Sequence, residues 1–136
     1  MKTWLYLPLL LLAVVFSSCT KNYNEVIPNK TIFYDVSTTT WKLDNQGVYY
    51  VQFDVPELDQ NSSQLDGVVV SVARQQNGGY NLFELLPEVF NNEYYNVIHQ
   101  AGTLLVELRG PNGTQAQKPT VNMRFKIVII PANNAS

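Results

Sequence analysis

The chain has 136 residues, 46% hydrophobic and 15% charged, a balance that suits one globular domain and excludes an intrinsically disordered chain. Nine basic and eleven acidic side chains leave a formal charge of -2, and Lys and Arg stand singly, which excludes nucleic acid as a partner. One His and one Cys also exclude a zinc or copper centre with the usual nitrogen and sulfur ligands.

Met1-Lys2-Thr3 is a short basic start, followed by the uncharged apolar run Trp4 to Phe16 (WLYLPLLLLAVVF). That run falls short of the roughly 20 residues a helix needs to cross hydrocarbon, and it matches the apolar region of an export signal. Ser17 and Ser18 place small residues before Cys19, the only cysteine. A lone thiol has no intramolecular disulfide partner, so another use is implied. Phe16-Ser17-Ser18-Cys19 resembles a lipobox, in which the cysteine is acylated and becomes the first residue after cleavage. The resemblance implies a lipoprotein signal peptide over 1–18 and a membrane held as partner through lipidated Cys19. Each buried methylene contributes about 0.8 kcal/mol, so several acyl chains on one residue make a lasting anchor. Thr20, not Asp, follows Cys19, which by resemblance to lipoprotein sorting implies delivery to the outer membrane, on its periplasmic or its surface face.

Residues 19–30 then read as the modified cysteine and a polar tether, broken by Pro28. Beyond it the pattern has period 2. Weaker strands are expected over Thr31–Val36 and Thr39–Leu43. The strand Val48–Val55 sets Tyr49, Val51, Phe53 and Val55 against Tyr50, Gln52 and Asp54, and Pro56 stops it. Val68–Ala73 is nearly continuous in apolar residues, as expected of a central strand covered on both faces. Asn77-Gly78-Gly79 signals a tight turn before a weaker strand, Tyr80–Leu85. Leu85–Phe90 is expected to hold a helical turn, and Tyr94–His99 another weak strand. Leu104, Val106 and Leu108 alternate with polar residues up to Gly110, and Pro111-Asn112-Gly113 carries turn chemistry. The last strand places Val121, Met123, Phe125, Ile127 and Ile129 on one face. The expected fold is therefore all-β: an antiparallel β-sandwich of about eight strands over residues 31–131, with a disordered tail over 132–136.

Trp41, Gly47-Val48-Tyr49-Tyr50, Val55-Pro56, Val68–Val72, Leu85-Leu86-Pro87 and the closing Phe125–Ile130 resemble a group of small bacterial envelope lipoproteins with a single β-sandwich domain. The resemblance implies a fold and a location in the cell envelope. It transfers no functional residues.

Within the domain, Asp54 to Asp66 (DVPELDQNSSQLD) is the densest set of oxygen ligands. Asp59, Asn61 and Ser63 stand at the first, third and fifth places of a calcium loop, with Asp66 beyond them. Gln64 occupies the turn-glycine place and Val70 the place of the bidentate Glu, so a polar inter-strand loop is the expectation. Glu84, Glu88 and Glu93 flank one region and are the acids that glycoside chemistry would need, but a domain this small leaves little room for a deep cleft. His99 has no nucleophile motif to serve. No catalytic residue and no cofactor are expected. Trp41, Tyr50, Tyr80, Tyr94 and Tyr95 form a surplus of aromatics, of which Trp41, Tyr50, Tyr80 and Tyr95 are the candidate rings for stacking on a glycan. The expected function is a non-enzymatic interaction or structural module tethered in the envelope, with a protein or glycan partner. The alternative is a carbohydrate-binding accessory for polysaccharide capture.

Overall fold

The structure, a computed structural model, describes residues 27–132. The expected export signal, Cys19, residues 20–26 of the expected tether and residues 133–136 of the expected tail lie outside the described residues. Among the described residues, nine strands form two antiparallel sheets. They are β1 (Lys30–Val36), β2 (Lys42–Leu43), β3 (Tyr49–Asp54), β4 (Gly67–Arg74), β5 (Glu84–Leu85), β6 (Glu88–Phe90), β7 (Glu93–Gln100), β8 (Thr103–Arg109) and β9 (Met123–Ile130). One sheet has the order β1-β9-β4-β5 and the other β2-β3-β8-β7-β6. A short helix, α1 (Ser62–Leu65), precedes β4, and a 3-10 turn (Pro111–Gly113) follows β8. Among the described residues, no helix is long and apolar enough to cross a membrane.

The sheets face each other through the alternating residues of their strands. Val51 and Phe53 from β3 and Leu104, Val106 and Leu108 from β8 meet Val70 and Val72 from β4 and Phe125, Ile127 and Ile129 from β9. Fully burying a side chain of this size contributes about 1.5–3 kcal/mol, so the inner faces carry most of the driving force. Tilted rings of Phe53 and Phe125, 5.3 Å apart, join the two sheets at the centre.

The expected sandwich is present, and the inward sets of β3, β8 and β9 are as the alternation places them, except that Val121 precedes β9 and is exposed. Three local expectations are corrected. Leu85–Phe90 holds no helical turn: Leu86 N–H donates to the Val70 carbonyl (2.9 Å), and Glu88–Phe90 pairs with β7, so pairing to both sheets draws the segment out. Tyr80–Leu85 is strand only at Glu84–Leu85, because residues 80–83 cross the outer face of the four-stranded sheet, with Tyr80 over Arg124 and Phe83 over Lys126. Thr39–Leu43 is strand only at Lys42–Leu43. A turn closed from Thr40 N–H to the Ser37 carbonyl (3.1 Å) leads into Trp41, which turns inward.

Candidate functional site

The outer face of the five-stranded sheet is built by the residues that alternate with the core. Cross-strand register lays Lys42, Tyr50, Glu107 and Asn96 in one row, and Arg109, Tyr94 and Val89 in the next. A third row runs through Gln52, Leu105 and Ile98. Tyr94, Val89 and Ile98 are 47%, 61% and 46% exposed, which is far more apolar surface than a solvated sheet face requires. Tyr94 and Arg109 sit at the shared wall of two open depressions. One, of about 580 Å³, is also lined by Pro87, Val89 and Asn96. The other, of about 480 Å³, is lined by Val48, Gly110 and Thr114. The Arg109 guanidinium donates to the Glu107 carboxylate through Nε (3.1 Å) and Nη2 (2.8 Å), and Arg109 is the cross-strand partner of Tyr94. The face thus offers an exposed ring, a guanidinium, a carboxylate and the Asn96 amide within one patch.

This patch lies toward the end of the molecule away from Lys30, where β1 starts. Ile27, Lys30, Glu57, Asp59 and Asp66 line one depression at the end where β1 starts. Val55 N–H donates to the Gly102 carbonyl (2.8 Å), so the β7–β8 turn is at that end too. Tyr94 and Arg109 are at the opposite ends of β7 and β8, about 20 Å along the strands.

The four expected stacking rings are not brought together. Trp41 and Tyr95 are in the core at 4% exposure, their rings edge to face at 6.4 Å, and neither can present a face to a sugar. Both are core residues and not candidate ligands: Trp41 stands just before the two-residue β2 and Tyr95 is the buried residue of β7, two places where the residue pattern is weak. Burial raises the Tyr95 phenol above its ordinary pKa, only partly offset by Arg74. Tyr80 is half-buried over the Arg124 guanidinium on the other sheet (4.6 Å). Tyr50 alone of the four lies on the five-stranded outer face, half-buried.

The oxygen-rich loop is occupied with its own architecture. Asp59 Oδ1 accepts the N–H groups of Asn61 (2.9 Å) and Ser62 (2.7 Å) and the Ser62 hydroxyl (2.8 Å), capping the start of α1. These bonds, led by the one from Ser62 N–H, hold the Asp59 carboxyl below its ordinary pKa. Ser63 Oγ donates to the Gln60 carbonyl (3.2 Å), and Asp66 Oδ1 accepts from Ala132 N–H (3.0 Å). Among the described residues, no group of three His, Cys, Asp or Glu side chains is placed to hold a metal ion.

Sequence reasoning missed Arg74. It continues the inward register of Val70 and Val72, and its side chain is 6% exposed at the edge of the sandwich. Its Nη1 donates to Glu84 and its Nη2 to Glu88, and the guanidinium lies over the rings of Phe90 (3.6 Å) and Tyr95 (5.0 Å). Two of the three acids considered for glycoside chemistry therefore do converge, but on a guanidinium that occupies the space between them. Glu93 instead accepts the Gln117 N–H. Comparison with protein-family models, with curated proteins and with solved structures returns no match.

Proposed function

We propose that this chain is an envelope lipoprotein, anchored through acylated Cys19, whose sandwich is a non-enzymatic binding module using the outer face of the five-stranded sheet. The observation that carries the binding role is the Tyr94–Arg109 pair, set between two adjoining open depressions on a face the core does not need. Two depressions that share a wall suit an extended ligand better than a compact one. The site has an exposed ring and hydrogen-bonding groups, and among the described residues the acids at the sandwich edge are engaged with Arg74 or Gln117. The motif at Cys19 supports the anchor, and the position of Lys30 supports the orientation, with the binding face toward the end remote from the lipid. A protein segment of the envelope is the first reading of the ligand.

A polysaccharide is the second reading, favoured by one feature: Tyr94 lies beside Arg109 and Asn96, so a sugar ring stacked on the phenol would reach donors and acceptors at its rim. A photo-crosslinking residue at Val89 in cells tests the site. The expected result is a discrete crosslinked species that is lost when Tyr94 and Arg109 are both changed to Ser. Crosslinking no stronger than from an exposed position far from the patch, such as Gln60, would overturn the assignment. A glycan array on the same protein separates the two readings, because only the second gives a saturable signal that Tyr94→Ser abolishes.

A further inference from the structure

We infer that β1 is a strand-pairing edge for a second copy of this chain, joined antiparallel about Phe33. Three of the four sheet edges are short: β2 and β5 have two residues each and β6 has three. β1 has seven, and it pairs with β9 one-to-one over its whole length, so no bulge twists this edge away. Among the described residues, the usual guards of an exposed edge are missing as well. Lys30–Val36 (KTIFYDV) contains neither Pro nor Gly, and its middle residues have strong strand propensity. Lys30 stands only at the first position. Asp35, which would repel an incoming strand, is turned across its own sheet into a two-bond pair with Arg124 (2.6 and 2.7 Å). Among the described residues, the backbone of 30–36 makes no hydrogen bond beyond its ladder to β9. Alternate N–H and C=O groups therefore point outward, away from β9, and a strand is the ligand that satisfies them in sequence.

The sequence of the edge is complementary to itself. In an antiparallel pair, facing residues share a side of the sheet, so a two-fold axis must pass through one residue position. With the axis at Phe33, the two phenyl rings face each other on the outer side, where Phe33 is 55% exposed. Ile32 then faces Tyr34 of the second copy, and these two side chains are half-buried at the open lip of the core. Thr31 faces Asp35 of the second copy, hydroxyl to carboxylate, and Lys30 faces Val36. No like charges meet, and the aromatic and β-branched pairs are of the kind that stabilise sheets. Moving the axis to Tyr34 would set Phe33 against Asp35. The product is one continuous eight-stranded sheet. A joint of one strand pair buries less than the roughly 1,200 Å² of a stable interface, so association is weak and must be measured at high concentration.

The test is light scattering of the full chain in mild detergent over a concentration series, with Phe33→Lys, Phe33→Glu and their equimolar mixture. Phe33 is exposed, so neither change removes core packing, and unchanged far-ultraviolet dichroism checks that both variants fold. The protein mass per particle is expected to double for the unaltered chain, to stay at one copy for each variant alone, and to double again in the mixture. An unaltered chain that stays at one copy, variants that still pair alone, or a mixture that does not pair would each overturn the inference.

Discussion

Arg74 shows how a single side chain can be placed by the pattern around it and then held by distant partners. The alternation that buries Val70 and Val72 turns position 74 inward as well, so a charge enters a region of low dielectric. Glu84, 10 residues on, and Glu88, 14 residues on, come from different sheets to meet it, so the guanidinium also fastens one sheet to the other. Arg74→Met leaves two carboxylates near one another without their cation. The expected loss is about 3 kcal/mol, the low end for a broken buried pair because the Glu84 side chain is 40% exposed. Urea unfolding checks it, and Arg74→Met combined with Glu84→Gln and Glu88→Gln should regain most of the loss. An unaltered midpoint for the single variant would contradict this role. Position 74 was legible as inward once the alternation is carried one residue past Ala73. Its partners were not, because hydrophobic spacing says nothing of which carboxylates the fold brings round.

At the scale of elements, legibility followed strand length and burial. β3, β4, β8 and β9 have six to eight residues and line the core, so their pattern repeats often enough to be read. β2, β5 and β6 have two or three residues, and their conformation is imposed by the neighbours they pair with, which left Leu85–Phe90 open to a helical reading. The stacking rings were hidden for related reasons: Trp41 stands just before the two-residue β2, and β7, though eight residues long, buries only Tyr95, while Tyr94, one position away, takes the exposed place. Close approach at the end of β8 gives a further expectation. A Cβ on Gly110 would lie 2.5 Å from the Thr114 carbonyl oxygen and 2.8 Å from that of Gln115, both backbone atoms that cannot swing aside. Gly110→Ala should destabilise the fold by about 1–3 kcal/mol through this overpacking. A chemical-denaturation midpoint within error of the parent would show that the loop over 114–115 yields freely.

In the whole molecule, the two ends of the described chain leave from one pole, where Ile27, Lys30 and Ala132 line the same depression. The proposed tether, entering there, would direct the Tyr94–Arg109 face away from its point of attachment. Pairing through β1 would place two such poles at opposite ends of a joined sheet. The architecture of the sandwich was legible from period-2 patterning and turn residues, whereas the outer-face site was not, since exposure of a ring depends on register that only the assembled sheets define. The proposed envelope location turns on acylation of Cys19. Mass spectrometry of the protein extracted from membranes tests it directly: the account predicts a chain that begins at Cys19 and carries acyl groups on that residue. A chain that keeps residues 1–18, or one with an unmodified thiol at position 19, would contradict it.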